Sequence, residues 1–314
     1  MVVIPVGISA CLLGEEVRHN GGHKRDAYIT GTLSQYFDFL SFCPEMGIGL
    51  GVPRPAIRLI ASDQGVRAVG SRDSSLDVTD KLVAFSHSTF DQIEHLSGYI
   101  LKRASPSCGM ERVKVYNQKN MPDPVGSGIF AAEIMSRFPL LPIEEEGRLG
   151  DPGLRENFIQ RVFIYHRWRT EYANKLTVQR LTEFHARHKL IFMSHDQNQS
   201  RSLGKIAASA NQNNLEVVAD EYICVAMKTL KVIATRKNHV NVLQHIQGYL
   251  KKHLDADDKK ELVDVIGRYH HGELPLIVPI TLLFHHFRKS PSEYIEQSWY
   301  IKPYPAELKL RNQL

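Results

Sequence analysis

No apolar run in these 314 residues reaches the roughly 18 that a membrane-spanning helix needs, so no membrane partner is expected. The opening stretch MVVIPVGISACLLG has no basic segment ahead of its apolar residues. It is expected to be a first strand instead of a secretory leader, with the cytoplasm as the expected location. Cysteine is scarce: four residues cannot staple a chain of this length. There is no Cys-x-x-Cys pair, which removes the zinc-ribbon pattern, and no compact run of the ferredoxin kind. Acidic charge is short in the second half only. Residues 1–150 carry 15 Lys and Arg against 17 Asp and Glu, whereas residues 151–314 carry 24 against 17 and hold 11 of the 15 histidines. A near-neutral front and a basic back divide the labour between chemistry and an anionic partner, or else the back is ordinary solvated surface.

What is present is a change of pattern along the chain. In the front, short apolar β-rich runs are expected as strands at 3–9, 39–42, 57–60, 66–69 and 113–116. Helical stretches are expected at 78–102 and 128–138. This alternation predicts an α/β fold, a three-layer domain on a mainly parallel sheet over residues 1–145. A charged and Gly/Pro-rich stretch at 143–153 reads as a linker. From 151 to 314 apolar residues recur at three- and four-residue spacing, as in Leu243, Ile246 and Leu250. That predicts an all-α domain, with Asp255 as one helix cap.

Three cysteines lie in front-domain loops, and thiolate is what soft metals select. Cys11 and Cys43 directly follow expected strands, and Cys108 follows the long expected helix. Each has small, turn-forming neighbours: SACLLG, CPE and SPSCG. Active sites of parallel sheets gather where strands end, so a shared open-sided metal centre is one reading. Three unrelated cysteines are as good a reading from spacing alone. Cys224 sits in the apolar run YICVAMKTL and is expected to be a buried small hydrophobe. Near the three cysteines, Glu45 is a candidate acid/base and Ser105 a candidate for positioning or attack. Without further support, a surface carboxylate or helix cap is the favoured reading of Glu45, and an ST-turn hydroxyl before Pro106 explains Ser105. Asn20, Gly21 and Gly22 form a turn that can present amides to a substrate base or be a plain turn, and Ser107 is a substrate-side candidate that can bond a cluster sulfur or merely shape its loop. For phosphate contacts the candidates are Arg187, Lys189, Lys205, Lys251, Lys252 and Arg311, with His188, His245, His285 and His286 assisting.

The pieces VGISACLLGEEVRHNGG, FCPEMGIGLGVPRP and SPSCG occur in this order across roughly residues 1–145. Together they resemble the thiouracil desulfidase family. The resemblance implies an α/β domain with a 4Fe-4S cluster on Cys11, Cys43 and Cys108. It also puts the family's functional glutamate and serine on Glu45 and Ser105. The chain departs at His19-Asn20, where the pattern has an aromatic residue and an aspartate. In the back, HARHKLIFMSHD, NVLQHIQGYLKKHL and PYPAELKLRN resemble a helical domain often fused to the first. The two-domain form is similar to tRNA 4-thiouridine desulfidases. It implies sulfur removal from thiolated uridine in tRNA, hydrolytically, with tRNA as partner and no DNA.

Two alternatives stay open. The substrate is a free thiouracil or thiouridine nucleotide, with a structural helical domain. Or the protein is not an enzyme, and its cluster serves RNA binding or redox sensing; zinc on the three thiolates is a further variant of the centre.

Overall fold

The computed structural model describes residues 3–313. It divides into two compact units, 1–151 and 152–314.

The front unit holds two four-stranded sheets. The first uses β1 (Ile4–Ser9), β2 (Phe37–Phe42), β5 (Tyr99–Leu101) and β8 (Ile143–Glu145) in the order β2-β1-β5-β8. Every neighbouring pair in it is parallel. β1 is central, and Val6 and Ile8 are fully buried. Gly7 is required there, because a Cβ would stand 2.3 Å from the Tyr99 ring.

The second sheet runs β4-β3-β6-β7, with β3 (Ile57–Ser62), β4 (Gly65–Gly70), β6 (Val113–Tyr116) and β7 (Pro122–Gly126). It is mixed: β3 and β6 are parallel, and the outer pairs are antiparallel. Short helices α1 (Ala27–Gly31) and α2 (Pro44–Gly47) follow β1 and β2. Next come α3 (Thr79–Ser88), α4 (Phe90–Glu94) and α5 (Ile129–Arg137). Leu82 and Ile129 join Ile57, Leu59, Val113 and Val115 in one core against the second sheet. Phe85 and Phe130 contribute to a ring cluster with Phe42 and Tyr99 of the first sheet. Thus α3 and α5 form a middle layer that buries apolar surface on both sides.

Three sequence expectations change. The helix expected over 78–102 stops at Glu94, and its last turn is instead the buried strand β5. Cys108 therefore follows a strand of the parallel sheet. The stretch at 143–153 begins with β8, so its acidic start belongs to the front core: Glu144 and Glu145 are each 3% exposed. The PDPVG strand β7 was hidden by its prolines; at a sheet edge, proline costs no ladder bond.

The second unit is all helical: α6 (Pro152–Arg167), α7 (Val178–His195), α8 (Gln197–Ser209), α9 (Leu215–Lys231), α10 (Arg236–Tyr249), α11 (Ala256–His271), α12 (Ile277–Lys289) and α13 (Glu293–Gln297). Side-chain caps start four of them: Thr177, Asp196, Thr235 and Asp255 each accept a first-turn amide. Cys224 is exposed on α9, between the buried Ile223 and Ala226, and is no core residue. No helix among the described residues is long and apolar enough to cross a membrane.

Candidate active site

Each of three strands of the parallel sheet delivers one cysteine at its carboxyl end, where ligands of such sheets bind. β1 runs into a single 3-10 turn at Ala10–Leu12 that carries Cys11. β2 ends at Cys43, whose residue caps α2 with Pro44 in the first turn. β5 leads into the Ser105–Gly109 loop that carries Cys108. That loop is clamped by the start of α5: Gly128 N–H donates to Gly109 O at 2.8 Å, Ile129 N–H to Pro106 O at 3.1 Å and Ala131 N–H to Ser107 O at 3.1 Å. A Cβ on Gly128 would meet the Ser107 carbonyl at 2.5 Å, so only glycine lets the helix close onto the loop.

All three cysteines line one cavity of about 240 Å³, together with Glu45, Ser105, Lys102 and Arg18. Cys11 and Cys108 are buried, and Cys43 is partly so. Burial pushes the Cys11 thiol up to about 11, with Lys102 pulling the other way. Burial also raises the Cys43 and Cys108 thiols, and neighbouring cysteines add to the rise at Cys108. The protein by itself therefore disfavours three thiolates in this space, and a cationic centre would offset that cost. Among the described residues no group of three or more His, Cys, Asp and Glu is arranged to hold a single metal ion. The donor set is three sulfurs around one shared cavity, which suits a cluster that spreads its iron atoms between them.

Glu45 sits one residue into α2 and is fixed at both oxygens. Arg54 pairs with Oε2 at 2.8 Å, and Ser107 Oγ donates to Oε1 at 3.0 Å. Arg54 is the residue that sequence reasoning missed. Its side chain is 2% exposed, and it also donates to the carbonyls of Gly51 and Val17 at 2.8 Å. The signal was faint: an arginine between two prolines in GVPRP reads as a loop charge.

Ser105 Oγ accepts the amides of Ser107 at 3.2 Å and Cys108 at 3.1 Å. Both of its lone pairs are engaged, so the hydroxyl has only its O–H left to give to the cavity. That favours positioning over attack. Ser107 is 1% exposed, donates to Glu45 and is not among the residues that line the cavity. Asn20 and Gly21 are not among the residues lining the cavity; their neighbours Arg18 and His19 are. Asn20 Oδ1 accepts the Gly22 amide, and Gly21 takes a left-handed φ of 77° in the same turn.

In the helical unit, Lys189, Lys205, Lys251 and Lys252 are exposed. Arg187 lies 4.8 Å over the Trp299 ring and pairs with Glu183. Arg311 does not fit a phosphate contact: it is 6% exposed, pairs with Glu156 and donates to Tyr300 O. His188 is fully buried and stacked on Phe184, and His286 is buried as well, so neither offers a face to a base. His245 and His285 are exposed.

A family model described as 2-thiouracil desulfurase matches residues 6–146, the span that holds all three cysteines. Residues 6–146 are a 2-thiouracil desulfurase domain. Behind that domain, a model described as a protein of unknown function (DUF1722) matches residues 189–305. The uncharacterized protein YbgA of Escherichia coli (strain K12) is 31% identical over 153 residues, which span 48% of this chain and 90% of YbgA. A solved structure of the 4Fe-4S-dependent thiouracil desulfidase TudS is 26% identical, with a TM-score of 0.38, over 47% of this chain and 93% of TudS. The cysteine cavity lies within the residues matched by the desulfurase model.

Proposed function

We propose that the protein removes sulfur from 4-thiouridine in tRNA, yielding uridine and sulfide by hydrolytic exchange of C=S for C=O. The observation that carries this is the convergence of Cys11, Cys43, Cys108, Glu45 and Ser105 on one cavity of a desulfurase-family domain. A 4Fe-4S cluster held by the three cysteines would supply one iron without a protein ligand, a Lewis acid with affinity for sulfur.

The rest of the work falls to side chains. Glu45, locked by Arg54 and Ser107, takes a proton from the attacking water and returns one to the departing group. Ser105 donates its O–H to the base or the water. Arg18, Arg54 and Lys102 put positive charge around the cavity, which favours an anionic sulfide as leaving group. The tRNA reading rests on the basic helical unit, with Lys189, Lys205, Lys251 and Lys252 on its surface for phosphate contacts. A thiouridine in folded tRNA must swing out of its stack, at a cost of a few kcal/mol. A unit that grips the RNA body offsets that cost.

The test is an anaerobic assay of the reconstituted full chain on thiolated tRNA and on free 4-thiouracil, following sulfide release and loss of thiouridine absorbance. Turnover of tRNA that disappears in Cys108→Ala supports the proposal. Unchanged thiouridine with a fully loaded centre refutes it.

A further inference from the structure

Beside the cysteine cavity lies a larger cleft of about 640 Å³ in the front unit. The two share Ile57, Arg103, Ala104 and Pro106 and so adjoin along a common wall. The cleft is lined by Arg58, Arg103, Arg112, Lys114, Arg148 and Tyr116. Its acids are already engaged. Glu111 pairs with Arg148 at 2.8 Å, and Glu145 accepts the Met110 amide at 2.8 Å. Arg58, Arg103, Arg112 and Lys114 form no ion pair among the described residues.

The sheet register explains the cluster. Leu59 pairs with Val115 and both face the helices, so Arg58 and Lys114 stand side by side on the opposite face of β3 and β6. Arg58 lies 5.0 Å over the Tyr116 ring, and its buried Nε–H has no acceptor. Arg58 also donates to Asn120 Oδ1, but none of the four cations has a carboxylate partner among the described residues, and a wall of that kind beside an aromatic ring suits a chain of phosphates next to bases.

We propose that this cleft holds the phosphodiester backbone of the RNA strand whose thiolated base enters the cysteine cavity. The proposal rests on the desulfidase reading for the identity of that base, and it places RNA contacts in the front unit as well as in the helical one. Four cations without a carboxylate partner over this volume exceed what one phosphate occupies, which is why a strand is favoured over a mononucleotide.

The test uses the full chain with Arg112→Gln and Lys114→Gln combined, both exposed positions that leave the core intact. Three substrates are compared: thiolated tRNA, 4-thiouridine monophosphate and free 4-thiouracil. Expected is a tenfold or greater fall in kcat/KM for tRNA with free 4-thiouracil unchanged. Binding of a short single-stranded RNA, read by anisotropy without turnover, should lose about 1.4 in the slope of log K against log salt, two charges at about 0.7 each. Lys114→Arg should keep that slope. An unchanged slope, or an equal fall for the monophosphate and tRNA, overturns the strand proposal. If no substrate is turned over by the unmodified protein, the desulfidase reading fails instead, while the RNA slope still decides whether the cleft binds RNA.

Discussion

Replacing Arg54 by methionine should damage the site through Glu45 before it damages anything else. The guanidinium is 2% exposed and the Glu45 side chain 15%, so the pair is shielded from solvent. Removing the arginine strips Glu45 Oε2 of its partner and leaves the carbonyls of Gly51 and Val17 without their donors. Breaking one side of a buried pair costs about 3–5 kcal/mol, chiefly for the stranded charge. Arg54→Lys retains a charge but not the fork, and each charge-assisted bond it forfeits is worth about 1.5–3 kcal/mol. Glu45→Gln in the Arg54→Met background removes the stranded carboxylate. It should restore part of the loss, giving a coupling energy of about 0.5–3 kcal/mol in the double-mutant cycle. Urea unfolding of all four proteins measures this. Both tryptophans, Trp168 and Trp299, lie in the helical unit, so their fluorescence follows that unit while circular dichroism sums both. The loss should appear only in the transition that leaves tryptophan fluorescence unmoved. Sulfide release should fall by about 10²–10⁴ in Glu45→Gln alone, which keeps an oxygen acceptor for Arg54 but removes its counter-charge and so also costs stability. An Arg54→Met protein as stable and active as its parent, or single-variant losses that simply add in the double variant, would refute the reasoning.

Three further outcomes follow from other parts of the structure. Gly128→Ala places a Cβ against the Ser107 carbonyl, and backbone cannot yield cheaply. It should cost about 1–3 kcal/mol by overpacking and shift the Cys108 loop, cutting activity about 10²-fold; a variant with full iron content and rate would refute this. His195 is buried and kept neutral, its pKa pushed down by burial to about 4. Unfolded histidine protonates near pH 6.5, so this contribution is complete above that pH and is lost as pH falls toward about 4, up to about 3 kcal/mol. Tryptophan-monitored stability that stays flat between pH 7 and 4.5 would contradict it. Arg311→Ala should destabilise the helical unit by about 3–5 kcal/mol through stranded Glu156. Lys251→Ala should change stability by less than about 0.5 kcal/mol and act only on RNA affinity; the reverse ranking in thermal unfolding would reject this division.

The helical unit was legible because its signal is local. Three- and four-residue periodicity marks each helix, and Asp255 is a cap in sequence and structure alike. The front unit was harder where tertiary context overrides local pattern. Tyr99–Leu101 is three residues long, and its strand conformation comes from pairing with β1 and β8, which no short window contains. Glu144 and Glu145 read as a solvated charge run. Inside the front core Glu144 is met by Arg148, four residues on, and Glu145 by the Met110 amide, thirty-five positions back. The sign of a residue is visible in sequence; its partner is not.

The same asymmetry decides the site. Residue type finds the cysteines, since no other standard side chain forms a thiolate. It finds Glu45 only through its neighbour Cys43. Nothing local reveals that Arg54, nine positions along, and Ser107, sixty-two positions along, hold the two Glu45 oxygens. Long-range pairing also separates Arg311 from Lys252, which look alike in a basic segment. One is sealed against Glu156 and Tyr300, the other is open to water. Conversely, Arg58 and Lys114 lie far apart in sequence and become neighbours only through the β3–β6 register. A charge found by composition therefore becomes a functional claim only once its partners have been counted. By that measure Arg103, Arg112 and Lys114 beside the cysteine cavity and the exposed lysines of the helical unit are cations without a carboxylate partner, whereas Arg54 is held by Glu45.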